Sequence, residues 1–547
     1  ESGSGKSALL SNWAEEYKSR NSDVKLIEHY VGASSETEAD IFKHILMDLG
    51  KYDDLDEKVK NDDIKLKGVF VEALKSVRDK TVIIIDAINQ LQYSTRDLGW
   101  ITEDLYKNID FIISTTDEKY AKRMLNRGWS TYKVKPLNKE EIATIVKRYL
   151  DNYGKSIGEA NIDLTVKNEA YLNRLTRLEK FILDAEYDVK VGHVGNPMFL
   201  KILLNELILN AKNDTVEAKI VEYLNTNSVA ELIDKVFDRL ESDFGKKTVE
   251  FILGRIFVSR NGISEQELAI MANEQGIPYI DVVECIDNLS VHLMNKGELL
   301  DFFHEHIRSA VRKRYVSDKD KEISFRRSIV ESFKSWAELD RRIEEIPYQL
   351  YLLDDCEELK SCISSKGVFT SLSKDEPYTL YKYIRRLLEE DASFVDDFFT
   401  GIGADEEQKL SLGELLYSNR NYYAAEKVYM SIYQDRVRQA GNEHADTSAV
   451  LKKIIKVLSD QKKYDEAIKF AERDKNINIS CFGEESLETA KSINNYAFIE
   501  LKRNNIDRSV ELFRRALDLK KKHEGSSTPD LLCAEEKLYA AMSHDMA

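Results

Sequence analysis

Glu1-Ser2-Gly3-Ser4-Gly5-Lys6-Ser7 is the stretch on which the reading of this chain turns. It matches seven of the eight positions of G-x-x-x-x-G-K-[ST]. The missing opening glycine is expected just before Glu1, which predicts that the numbering begins inside a longer protein. Glycines at these positions let successive backbone N–H groups turn toward one anion, and the N-terminus of the following helix adds partial positive charge. Gly3, Ser4, Gly5, Lys6, Ser7 and Ala8 are therefore the candidate phosphate-binding residues. Lys6 is expected to reach the β- and γ-phosphates, and Ser7 to hold Mg2+. The plain alternative is a Gly/Ser linker ending in a lysine. Against it, Leu10, Trp13, Ala14 and Tyr17 follow at once on one helical face.

A second signal agrees with the first. Thr81-Val82-Ile83-Ile84-Ile85-Asp86 is an apolar run ended by one carboxylate, the pattern of a parallel strand buried on both faces with Asp86 at its C-terminal edge. There Asp86 is the candidate second Mg2+ ligand; the alternative is an acid that merely ends a strand. Between the two signals, Val24 to Val31 reads as a strand, and Ser35 with Glu38 as a capping box for the next helix. The Lys/Asp/Glu-rich segment 51–63 reads as a solvated excursion rather than a metal site. Ile109 to Thr116 gives another strand, ending in the hydroxyls Ser114, Thr115 and Thr116, all well placed to sense a γ-phosphate, with Thr115 as the candidate nucleotide contact. Strands alternating with helices through about residue 135 predict an α/β unit with a parallel sheet, whose first strand is expected before Glu1.

Composition bounds the remainder. The 547 residues carry 80 basic and 97 acidic side chains, a formal charge of −17, 42% hydrophobic residues and only 6 prolines. That suits about three to five mainly helical domains. The acidic balance disfavours broad nucleic-acid binding. No uncharged apolar stretch reaches about 18 residues, so no membrane span is expected. Cys285, Cys356, Cys362, Cys481 and Cys533 have neither C-x-x-C pairing nor even spacing, which argues against a zinc site or a disulfide framework and for a reducing cytoplasm.

From about Asn138 to Asn210 the pattern is helical, with Asn138 and Glu141 as cap and partner. Between Ser228 and Val316 a helix-turn-helix-like succession has Gly262 before a Ser264 to Glu267 capping box, then an apolar run Leu299 to Phe303. Glu265 and Glu267 on the helix from Ser264 to Ala272, with no Lys or Arg, oppose DNA reading there. Ser317 to Glu322 reads as a hinge or linker. Ile343 to Leu353 and Tyr378 to Leu388 read as amphipathic helices without evident chemistry. Beyond them Gly441, Gly483 and Gly525 stand 42 residues apart; Tyr422, Tyr464 and Ile506 keep the interval, as do Ala425, Ala467 and Ser509. Such a period means a solenoid of helix pairs, here three pairs and one further helix. The basic stretches Arg514-Arg515 and Lys520-Lys521-Lys522 read as solvated helix faces, with an acidic peptide partner as the sharper alternative.

Five stretches together resemble the STAND class of signal-transducing P-loop NTPases, in the NACHT-like branch with nephrocystin-type and telomerase-associated proteins. They are Glu1 to Trp13, Thr81 to Leu91, Tyr132 to Leu137, Gly195-Asn196-Pro197 with Phe199-Leu200, and Phe302-Phe303-His304-Glu305-His306. The repeats resemble tetratricopeptide repeats of the long, kinesin-light-chain-like kind. The resemblance implies that Pro197 contacts the adenine. It also implies that His304, with His306 as runner-up, touches the ADP β-phosphate from a winged helix. The chain departs from the class at Asn89 and Gln90, where two further acids are common, and at Thr116, where an arginine is common. An amide orients a water but accepts no proton, so hydrolysis is expected to be slow.

The expected fold class is multidomain and predominantly α. Its parts are an N-terminal α/β P-loop NTPase domain (1–137) lacking its first strand, a helical lid (138–215), a winged helix (216–318), a helical linker region (319–400) and a tetratricopeptide-repeat solenoid (401–547). The implied cofactors are ATP/ADP and Mg2+, with Lys6, Asp86, Asn89 and Gln90 as the candidate chemical residues. The implied activity is a nucleotide-dependent switch, a slow ATPase at most. In it the repeats' concave face senses a protein or peptide, and nucleotide exchange drives opening and homo-oligomerisation to activate an N-terminal effector. The alternatives are a repeat scaffold with a structural nucleotide and a continuously cycling ATPase.

Overall fold

A computed structural model describes residues 3–31, 38–52, 63–91, 99–101, 107–149, 195–210, 222–391 and 405–524, with 55, 59 and 394–395, apart from positions 139, 147 and 442–443. These residues fall into two compact units, 1–325 and 326–547, described separately below.

The first unit opens as α/β. In order come α1 (Lys6–Arg20), β1 (Lys25–Tyr30), α2 (Glu38–Asp48), α3 (Asp63–Lys75), β2 (Thr81–Asp86), a 3-10 turn (Ile88–Gln90), β3 (Ile109–Ile113) and α4 (Glu118–Leu125). The strands form a parallel sheet in the order β1-β2-β3. All six β2 residues are buried because the strand is central and covered on both faces. Val82 and Ile84 point to α1, where Ala14, Leu10, Trp13 and Tyr17 pack on them, so the helical face read from sequence is the one that meets the sheet. Ile83 and Ile85 point the other way, into a core with Ile41, Phe42 and Ile45 of α2 and Leu66 and Phe70 of α3. Phe42 and Phe70 stack at 4.4 Å between ring centroids, and Trp100 meets both edge-on. Burying each such ring contributes roughly 1.5–3 kcal/mol. Ser35 and most of the charged segment 51–63 lie outside the described residues.

The unit continues through a helical stretch from residue 140, capped as expected: Asn138 and Glu141 exchange backbone-to-side-chain bonds of 2.8 and 3.0 Å. Next are α5 (Pro197–Asn210), α6 (Val229–Phe244), α7 (Lys246–Val258), β4 (Ile263–Ser264), α8 (Glu265–Glu274), α9 (Tyr279–Leu289), β5 (Leu293–Lys296), β6 (Leu299–Phe302), α10 (Glu305–Tyr315) and the start of α11 (Lys319–Trp336), whose residues from 326 belong to the second unit. The short strands make an antiparallel ribbon in the order β4-β6-β5. Gly262 is required where it stands: its φ is +105°, and a Cβ there would lie 2.6 Å from the Leu300 carbonyl oxygen. The Ser264–Glu267 capping box starts α8. Of the stretch read as a hinge or linker, residues 317–318 connect two helices and 319–322 form the first turn of α11, where the Asp318 carboxylate accepts the Lys321 N–H at 2.8 Å and Lys321 Nζ lies 2.7 Å from Glu250.

In the second unit, α12 (Leu339–Leu352), α13 (Cys356–Ile363), α14 (Lys366–Asp375) and α15 (Pro377–Glu390) precede the repeats. The repeat helices are α16 (Glu406–Ser418), α17 (Tyr422–Ala440), α18 (Ala445–Asp460), α19 (Tyr464–Phe482), α20 (Leu487–Lys502) and α21 (Ile506–Glu524). The 42-residue interval recurs at backbone level. Arg420, Lys462 and Asn504 are left-handed (φ 61°, 61° and 64°), and the next N–H of each returns 2.9 Å to Leu416, Leu458 or Glu500. This left-handed helix end fixes the same turn in each pair. Ala425, Ala467 and Ser509 are fully buried, where only small side chains admit the partner helix. Among the basic positions, Lys520 is buried instead of solvated, whereas Lys522 pairs with Glu485 at 3.0 Å on the surface. The further helix expected after α21 lies outside the described residues.

Candidate phosphate-binding site

The loop before α1 has the backbone that its glycines predict. Gly3 and Gly5 have φ of +77° and +82°, and Gly5 caps α1 with no side-chain bond of its own. A side chain at position 3 would have no room, since its Cβ would sit 3.0 Å from Met198 Cβ and 3.2 Å from Asn196 Oδ1. Ser4 and Lys6 face each other, Lys6 Nζ donating to Ser4 Oγ at 3.2 Å, and Ala8 is exposed in the first turn of α1.

Across the sheet edge the Ser7 hydroxyl donates to Asp86 Oδ2 at 2.5 Å, so the two residues read separately as Mg2+ ligands stand side by side. The other Asp86 oxygen accepts the Ser114 hydroxyl, and Ser114 Oγ accepts the Ala87 N–H at 2.9 Å. Ser114 lies one step beyond the paired Ile85 and Ile113, on the Asp86 side of the sheet, and is 8% exposed. The hydroxyl of Thr115, the expected sensor, accepts the Asp117 N–H at 3.0 Å and shapes the turn into α4. The parallel register sets residues 110, 112 and 114 on the same face as 82, 84 and 86, which brings Ser114 to Asp86.

Asn89 is occupied too. Its Oδ1 accepts the Thr116 N–H at 3.0 Å, tying the turn after β2 to the loop after β3. The side chain of Gln90 lies outside the described residues.

Two more distant expectations converge on the loop. The Gly195-Asn196-Pro197 stretch packs on it: a Cβ at Gly5 would lie 3.6 Å from Pro197 Cγ, and the Met198 N–H points to the Gly3 carbonyl at 3.4 Å. Asn196 starts α5 by accepting the Met198 N–H at 2.9 Å, a capping role the sequence reading missed. His304 starts α10, its Nδ1 accepting the His306 N–H at 3.3 Å, with the two imidazoles stacked at 5.1 Å. Burial first, then the charges of His306 and Lys6, lower the His304 pKa to about 4. His304 is thus a neutral imidazole within the electrostatic reach of the loop lysine, with its proton on Nε2.

The donor set fits a magnesium nucleotide. Hard oxygens of Ser7 and Asp86 meet at the edge of a parallel sheet, beside left-handed glycines and a helix N-terminus, which is the chemistry Mg2+ and phosphate require. Groups of three or more His, Cys, Asp or Glu able to hold a metal ion are absent among the described residues. No helix among them is long and apolar enough to cross a membrane, and Cys285, Cys356, Cys362 and Cys481 are free thiols.

Residues 446–522 match the tetratricopeptide repeat family, so this part of the chain is a tetratricopeptide-repeat array. A TPR repeat-containing protein of Dictyostelium discoideum is 21% identical over 422 residues, covering 68% of this chain and 24% of its own length. Nephrocystin-3 of Mus musculus is 23% identical over 389 residues, covering 68% and 28%. This chain therefore spans less than a third of the length of either relative. Among solved structures, the Signal Transduction ATPase with Numerous Domains (STAND) protein with a tetratricopeptide repeat sensor from Pyrococcus horikoshii aligns over 97% of this chain and 79% of its own. Its identity is 14% and its TM-score 0.41.

Proposed function

We propose that this chain is a nucleotide-controlled signalling switch. Residues 3–8 and Asp86 hold ATP or ADP with Mg2+, the ribbon and helices of 216–318 act as a winged helix that closes on the nucleotide, and the repeats take a protein or peptide. Nucleotide exchange then drives opening and homo-oligomerisation, which activates an N-terminal effector. The observation that carries this reading is the bond from Ser7 to Asp86, which joins two motifs 79 residues apart at one sheet edge.

The bound magnesium nucleotide supplies the phosphate charge and the γ-phosphoryl bond that separate the two states. The chain's own groups do the rest. Lys6 offers the loop's cation, Ser7 and Asp86 the oxygens for the metal, and Ser114 fixes the Asp86 carboxylate so that the metal finds it preoriented. In this reading Pro197 meets the base and His304 Nε2–H meets a phosphate. With Asn89 engaged by Thr116, no carboxylate stands at positions 89 or 90, which favours holding a nucleotide over turning it over.

The test is calorimetric titration of ATP and ADP, with Mg2+, into the chain and into Lys6→Ala. Loss of affinity in the variant is expected. Equal affinities would remove the phosphate loop from the account. Fast turnover without any ligand would favour the cycling ATPase instead.

A further inference from the structure

Helix α5 makes three kinds of contact along 14 residues, and they occur in a telling order. Its first turn lies on the phosphate loop through Pro197 and Met198. One turn on, Lys201 Nζ sits 4.3 Å over the ring of Phe303, next to His304. Further along, Glu206 is fully buried and receives both arms of Arg239 of α6, with Nε to Oε2 at 2.7 Å and the second contact to Oε1 at 2.8 Å. The Tyr223 hydroxyl donates to the same carboxylate at 3.1 Å. Arg239 also reaches Asp243 at 3.2 Å and Asn288 of α9 at 3.3 Å, and its side chain is 6% exposed.

From this arrangement we infer that Glu206 and Arg239 form a reversible clamp that holds the helical module of α6 to α10 against α5, and so sets how readily the closed, nucleotide-retaining state opens. The inference rests on the switch reading above and names the contact that regulates it. The chemistry suits the task. A buried ion pair gains little net stability, because desolvating both ions offsets most of their attraction; when the interface opens, both are rehydrated. An apolar contact of the same size would hold the interface shut with no such return. Removing one partner alone leaves the other charge buried and uncompensated, which drives the interface apart. Because α5 is one helix, a loosened Glu206 frees the end whose other extremity lies on Gly3 and Gly5.

The experiment compares the full chain with Glu206→Gln, Arg239→Lys and the double variant Glu206→Met with Arg239→Met. It reads the release rate of a fluorescent ADP and deuterium uptake by the backbone of 197–210. Glu206→Gln is expected to speed release at least tenfold and to raise uptake. Arg239→Lys, which keeps the charge but loses the two-armed geometry, should fall in between, and it decides the matter should Glu206→Gln fail to fold. The double Met variant should release ADP no faster than the parent, since both buried charges are gone. Single variants within twofold of the parent in both readouts, or a double variant as fast as Glu206→Gln, would overturn the clamp. If the parent chain binds no ADP the switch reading fails, while uptake at 197–210 still decides the clamp.

Discussion

The Ser7 hydroxyl donates to the Asp86 carboxylate at 2.5 Å, and the other oxygen of that carboxylate accepts Ser114. The two proposed metal ligands thus stand side by side, and on that proposal their substitution should act on the metal more than on the nucleotide. Ser7→Ala and Asp86→Asn are each expected to weaken Mg2+-dependent ATP binding by about 1–3 kcal/mol. Binding of ADP in excess chelator should stay near the parent value. Ser114→Ala should give a smaller loss of the same kind. A loss equal in size with and without Mg2+ would mean that these residues support the fold and not the metal.

Asn89 accepts a backbone N–H from Thr116, a role that aspartate can keep. Asn89→Asp with Gln90→Glu is therefore expected to preserve the turn while adding carboxylates, raising the single-turnover hydrolysis rate by tenfold or more, or about 1.4 kcal/mol of barrier. An unchanged rate with ATP still bound would place the base elsewhere.

His304 is neutral at pH 7 because its pKa is lowered to about 4, chiefly by burial. A phosphate anion beside it would raise that pKa, so binding takes up a proton and ADP affinity should increase as pH falls from about 8 to about 6. His304→Ala should flatten this dependence, weaken ADP more than ATP by about 1–3 kcal/mol, and raise assembly without ligand. His306→Ala is the matched comparison. If only His306→Ala has these effects, the phosphate contact belongs two residues later.

The two units should answer pH in opposite ways at defined residues. In the first, burial lowers the pKa values of His29 and His292 to about 4, so their stabilising contribution is complete above about 6.5 and is lost as pH falls toward 4. The loss is on the order of 3 kcal/mol each at most. In the second, Asp474 of α19 is fully buried, bonded to Ser448 and Asn478, with Lys452 as a nearby charge, and burial raises its pKa. A raised carboxylate pKa favours the folded state at low pH and opposes it as pH climbs through the folded value. Asp474→Asn should accordingly stabilise the repeats more at pH 7.5 than near the ordinary carboxylate value of 3.8, in thermal melts of the full chain. A stabilisation equal at both pH values would show that burial does not raise the Asp474 pKa.

The sequence alone determined what local physics encodes. Glycines that must turn left-handed, a six-residue apolar strand closed by an acid, and a 42-residue repeat of small and turn residues are each legible because backbone sterics and side-chain periodicity act within one segment. The Asn138–Glu141 and Ser264–Glu267 caps were legible for the same reason. What the tertiary structure decided involves register and packing between segments far apart in the chain. Strand register made Ser114, and not Thr115, the partner of Asp86. The fold engaged Asn89 with Thr116 and buried Lys520. Its packing also brought His304 toward Lys6 and sealed Glu206 against Arg239. None of these follows from spacing, because a side chain's partner depends on which face its element buries and on what the rest of the chain places opposite it.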